Sequence, residues 1–131
     1  MRLLLDTHIW LWAYLEPHRL TSEVHRALTD PGNVRLLSAV SVWEFIVLLE
    51  KKRITLGQDF GGWFAQSKAT LELKEAPLDW KIVREMRFVM LGHKDPADRF
   101  LAATAITYDL TLVTADQRLL QVAGLKTIAN I

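Results

Sequence analysis

Short apolar runs alternate with longer segments of helical period along this chain, and that alternation predicts an α/β fold. Arg2-Leu3-Leu4-Leu5 is apolar, bounded by Asp6-Thr7 and too short for a helix, so it reads as a buried strand. Further short strands are expected at Val34–Leu37, Glu72–Ala76, Thr111–Thr114 and Lys126–Ile128. The helical segments between them are Thr7–Leu15, Thr21–Thr29, Ser41 to about Lys52, Phe60–Leu71, Asp79 to Leu91, one opening at Asp95-Pro96, and Asp116–Ala123. The breaks between elements have physical causes. Asp30-Pro31-Gly32-Asn33 stops the second helix, Gly92 ends the fifth, and Pro96 fits a first turn. Strands separated by helices require parallel crossovers, hence a sheet with helices on both faces.

With 131 residues, no repeat and no linker, the chain reads as one domain, 1–131. The absence of cysteine excludes disulfides, thiol catalysis and thiolate metal sites, and fits a reducing cytoplasm. Arg2 followed by three leucines is not a signal peptide, because Asp6 interrupts it too early. No apolar run approaches the roughly 20 residues that span a bilayer. The net charge of +1 argues against a grossly basic nucleic-acid binder but leaves room for a local basic patch.

Charge placement carries more information than charge total. Asp6 is the only formally charged residue from Leu3 to Leu15, and Glu44 the only one between Leu36 and Leu49. Asp98 shares a helical face with Leu101, Ala102 and Ala105, and Asp116 ends Leu112-Val113-Thr114-Ala115-Asp116. All four fall where a strand gives way to a helix or a helix begins. In an open α/β sheet such positions converge on one crevice.

Each acid has an ordinary structural explanation. Ser41-Val42-Trp43-Glu44 fits a capping box, Asp95 and Asp116 fit N-caps, Asp98 suits the third position of a helix, and Asp6 could cap the first. Their apolar surroundings weigh the other way, since burying a lone carboxylate costs several kcal/mol or forces its pKa up. A shared divalent cation would compensate all four. Oxygen donors without cysteine or paired histidines favour Mg2+ or Mn2+ over zinc. Other catalytic schemes lack their residues: HExxH, GxSxG, GxxxxGK[ST] and GxGxxG are all absent.

Taken together, Leu5-Asp6-Thr7-His8, Glu44 in an apolar helix, Asp95-Pro96-Ala97-Asp98-Arg99 and Thr114-Ala115-Asp116 resemble the PIN domain. Within it they most resemble the VapC-type toxins of toxin–antitoxin pairs, over essentially the whole chain. The resemblance implies an Mg2+- or Mn2+-dependent endoribonuclease on a five-stranded parallel sheet ordered 3-2-1-4-5. It makes Asp6, Glu44, Asp98 and Asp116 the catalytic, metal-binding acids, with Thr7 and Thr114 as hydroxyl supports. Asp95 is then an extra acid, either ligand or cap. The implied partners are an RNA substrate, a cognate antitoxin whose basic or aromatic tail blocks the site, and a second copy in a homodimer. Lys94, Arg99 and Arg118 lie near the expected site and could steer RNA, whereas Lys51-Lys52-Arg53 equally suits a helix end. His93-Lys94 reads as site rim or as solvated loop. The first helix, apolar all round, is either buried or partly covered by another chain. Two other classes stay open on the residues alone. One is a metal-dependent phosphohydrolase of a small phosphate ester, and the other a non-catalytic RNA- or protein-interaction module whose acids are only caps.

Overall fold

Alternate burial along each strand divides the core into two. In the computed structural model, which describes residues 1–89 and 95–131, Leu3 and Leu5 of β1 (Arg2–Leu5) join one apolar cluster and Leu4 joins another. The same split separates Leu37 from Leu36 in β2 (Val34–Ser38), and Val113 from Leu112 in β4 (Thr111–Thr114). A strand covered on both faces has no polar side to show, which is why β1 and β4 read as continuous apolar runs. Burying a leucine this fully stabilises the fold by roughly 2 kcal/mol.

With β3 (Leu73–Ala76) and β5 (Lys126–Ala129), these strands form a five-stranded parallel sheet ordered β3-β2-β1-β4-β5. The expected order 3-2-1-4-5 is the observed one. One face carries α1 (Thr7–Leu15), α2 (Ser22–Thr29), α3 (Ala39–Glu50) and α4 (Phe60–Leu71). The other carries α5 (Trp80–Glu85), α6 (Pro96–Tyr108) and α7 (Gln117–Leu120). Trp10 explains why α1 is apolar all round: its ring meets Phe45, Trp63 and Phe64, and its indole N–H donates to Ser67 Oγ at 3.1 Å. Leu15, at the end of that helix, stays exposed.

Several boundaries differ from expectation for identifiable reasons. α3 begins at Ala39, because Ser38 takes the N-cap and its hydroxyl accepts from Val40 N at 3.0 Å. Ser41 therefore lies inside the helix, and the expected Ser41–Glu44 capping box does not form. β3 starts at Leu73 because Glu72, at φ 52°, closes α4 in the left-handed conformation. The helix expected from Asp79 to Leu91 ends at Glu85 and continues as a 3-10 turn, Met86–Phe88; Leu91 and Gly92 lie outside the described residues. α7 is likewise shorter than the expected Asp116–Ala123. Among the described residues, no helix is long and apolar enough to cross a membrane.

β1 pairs with β2 on one side and β4 on the other. The winding direction reverses between β1 and β4, and a crevice opens beyond their carboxyl ends.

Candidate active site

Asp6 leaves β1 still attached to the sheet, since its backbone N–H donates to Val113 O at 3.0 Å. That bond holds its side chain against β4. There Thr114 Oγ1 donates to Asp6 Oδ2 at 2.7 Å and accepts from Asp116 N at 3.0 Å. One buried hydroxyl thus ties both turns of the switch point together. Asp6 occupies the N-cap position of α1, yet its side chain makes no capping hydrogen bond. It is only 7% exposed, and burial pushes its carboxyl above the usual aspartate range; Thr114 and His8 pull it down, while Asp116 pushes it further up.

Asp116 is spent differently. Its Oδ1 accepts from Arg118 N at 2.8 Å, capping α7, and the Arg118 guanidinium returns to it, Nε to Oδ1 at 3.2 Å and Nη2 to Oδ2 at 3.1 Å. The Asp116 pair holds the arginine's pKa above its ordinary value, with smaller contributions from Asp98 and Asp95.

Glu44 reaches the same cleft from α3. The Thr7 hydroxyl at the start of α1 lies 2.9 Å from Ser41 Oγ, and Glu44 follows Ser41 by three residues on the same helix face. Burial pushes the half-buried Glu44 carboxyl up; a hydrogen bond from Thr7 opposes this, and the charges of Asp95 and Asp6 reinforce it. From α6 come Asp95, whose side chain caps the helix by accepting from Ala97 N at 3.0 Å, and Asp98, only 6% exposed in the first turn.

These residues line one cleft of about 380 Å3: Asp6, Glu44, Asp95, Asp98 and Asp116, with His8, Trp12, Ala115 and Arg118. The four expected acids converge, and Asp95 joins them while also capping α6. The Thr114 hydroxyl is hydrogen-bonded to Asp6 and the Thr7 hydroxyl to Glu44. Arg118 is at the site, whereas Arg99 does not line the cleft: its Nη2 donates to Met86 O at 2.7 Å, which fastens the 3-10 turn to α6. Lys94 and His93 lie outside the described residues. Of the basic triplet, Arg53 lines a neighbouring groove that shares His8 and Trp12 with the acidic cleft.

His8 and Trp12 do not stand out as site residues by sequence. Their signal is the i, i+4 spacing, which places both on the α1 face that starts beside Asp6.

The donor set suits a hard divalent cation in its chemistry: carboxylate oxygens, two of them with raised proton affinity, and no sulfur. Among the described residues, however, no group of three acids or histidines is drawn tightly enough together to hold an ion as it stands.

Comparison with known proteins agrees with this geometry. The chain is 31% identical to Ribonuclease VapC22 of Mycobacterium tuberculosis over 119 residues, 88% of each chain. Among solved structures, it is similar to VapBC2 from Rickettsia felis bound to a promoter DNA fragment, with a TM-score of 0.66, 17% identity and 98% of each chain covered. It is also similar to FitAcB from Neisseria gonorrhoeae, with a TM-score of 0.57, 21% identity and coverage of 98% of this chain and 97% of that one. At these identities the structures share its fold. A switch-point sheet with acids at the ends of β1 and β4, a match of residues 3–125 to the PIN domain model, and a relative at 31% identity lead to one assignment: the chain belongs to the PIN domain family.

Proposed function

We propose that this chain is an Mg2+- or Mn2+-dependent endoribonuclease, the toxin of a toxin–antitoxin pair. The observation that carries this reading is the gathering of Asp6, Glu44, Asp98 and Asp116 from four separate elements into one cleft. Capping accounts for Asp116 and Asp95. It does not account for Asp6, which makes no side-chain capping bond of the usual kind, or for Glu44, whose capping box is absent.

Asp6 and Asp116 would contribute most to holding the ion, with Glu44 and Asp98 completing its shell directly or through water. A bound divalent ion supplies Lewis acidity, an activated water and charge neutralisation for an in-line displacement at phosphorus. The chain's own residues prepare that chemistry. Thr114 orients Asp6, Thr7 supports Glu44, and burial leaves the Asp6 carboxylate poorly hydrated, which favours a counter-charge. Uncompensated, the same carboxylates repel a phosphodiester. Cleavage of single-stranded RNA with Mg2+ or Mn2+, lost in EDTA and in a folded Asp6→Asn variant, is the expected result. Turnover of a small phosphate ester without RNA cleavage would overturn the substrate, and an active Asp6→Asn would overturn the site.

A similar solved structure is a VapBC complex and the curated relative is a VapC ribonuclease, which supports an antitoxin partner; such a partner would cover the cleft. A homodimer is supported by apolar side chains left in solvent, with Trp80 88% exposed and Trp43, Leu78 and Phe88 also exposed. Light scattering should give twice the 15.0 kDa chain mass; a monomer mass unchanged by concentration would exclude the dimer.

A further inference from the structure

Arg118 and a divalent ion compete for the same two oxygen atoms. The guanidinium spans both Asp116 oxygens, at 3.2 and 3.1 Å, in the two-pronged geometry that makes arginine–carboxylate pairs specific. Any ion held by Asp116 needs at least one of those oxygens. An ion and a guanidinium on one carboxylate repel each other, so an entering ion weakens the arginine's hold and displaces it from the oxygen that the ion takes. The arginine end is free to swing into water, because the Arg118 side chain is 56% exposed against 22% for Asp116.

We propose that Arg118 is an internal stand-in for the cation: it neutralises Asp116 before an ion binds, yields that carboxylate to the ion, and then takes an RNA phosphate at the same rim. The inference rests on reading the cleft as a metal-dependent ribonuclease site. The exchange follows from the geometry of the side chain, since a guanidinium fork matches phosphate oxygens as well as carboxylate oxygens. It also orders the events. Before the ion binds, Arg118 is occupied and the cleft is acidic; afterwards the acids are neutralised and a free arginine stands at the edge.

The test uses the full chain and Mn2+ alone as probe, with affinity read by electron paramagnetic resonance or calorimetry. Arg118→Ala should bind Mn2+ about two- to five-fold more tightly than wild type, the range expected for losing an exposed competing ion pair. At saturating Mn2+, the same variant should show a raised KM for single-stranded RNA, so the two effects run in opposite directions. General destabilisation would weaken both. Arg118→Lys, which keeps the charge without the fork, should fall between. Arg118→Gln provides another neutral variant if alanine disturbs α7. Equal or weaker Mn2+ binding by a folded neutral variant, with wild type binding normally, overturns the role of Arg118 alone. Absence of Mn2+ binding in wild type and variant alike overturns the metal reading with it.

Discussion

The turns that leave β1 and β4 begin with the same chemistry and end in different states. Each places an aspartate at the N-cap position of the following helix, beside the same Thr114 hydroxyl. At the β4 turn the aspartate caps α7 and pairs with Arg118, and it stays partly exposed. At the β1 turn Asp6 is buried, makes no side-chain capping bond of the usual kind, and accepts from the Thr114 hydroxyl. Both positions would be scored as caps by pattern. Only the position of β1 at the centre of the sheet, between β2 and β4, keeps Asp6 from solvent. A cap stabilises its own helix, whereas a buried carboxylate without a cap stores a cost that a counter-cation can relieve. Asp6 thus carries a cost in stability that Asp116, as a cap and ion-pair partner, offsets.

The sharpest way to break this comparison is Asp6→Asn. It should lower RNA cleavage on the order of 100-fold or more, as losing a key transition-state group does, while raising Tm by a few degrees. Asparagine keeps an oxygen for Thr114 and removes the charge. The pH dependence has a definite sign. Burial raises the folded-state pKa of Asp6 from its ordinary 3.8, and that of Glu44 from 4.5, so the folded chain holds these protons more tightly. Their contribution to stability is present in full below the ordinary values and is lost as pH rises through the raised ones. The Tm advantage of Asp6→Asn should therefore be largest at neutral pH and disappear in acid. An advantage that persists below the ordinary aspartate pKa would mean that packing, not charge, explains it.

Thr114→Val tests the hydroxyl shared by the two turns. Valine conserves shape but leaves the part-buried Asp116 N–H without its acceptor and removes the hydroxyl donor from Asp6. The expected loss is about 1–3 kcal/mol, read by urea denaturation. Cleavage should need a higher pH, because Asp6 loses the bond that favours its charged form. A loss no larger than a surface substitution gives, within about 0.5 kcal/mol, would show that the two turns are held independently.

Much of this arrangement is legible in the amino-acid order. β1 and β4 read at their observed limits because a short apolar run closed by Asp6-Thr7, or by Ala115-Asp116, leaves little choice. The strand order follows from family resemblance alone, since pairing between distant strands leaves no trace in local periodicity. The start of α3 reads as Ser41 by pattern, because Glu44 supplies the box partner three residues on. Tertiary contact decides otherwise: Ser41 is spent on Thr7, and Ser38 remains to cap. The return of Arg118 onto Asp116, like the diversion of Arg99 to Met86, depends on side-chain direction that spacing cannot give.

Asp95 and Asp98 repeat the comparison within one turn of α6, at smaller amplitude. Asp95 caps through Ala97 N and is partly exposed; Asp98 lies at the third helical position and is buried at the cleft. If the division seen between the strand ends holds here, Asp95 contributes to folding and Asp98 to chemistry. Asp95→Ala should then cost about 1 kcal/mol, the usual value of an N-cap, and leave cleavage within a few-fold of wild type. Asp95→Asn should recover the stability, since asparagine caps equally well without charge. The charge itself also matters slightly, because Asp95 helps to raise the Glu44 pKa. Both variants should therefore shift the acidic limb of the cleavage profile a little toward lower pH. Loss of cleavage in Asp95→Asn at full stability would make Asp95 a working member of the site and require a fifth acid in its chemistry.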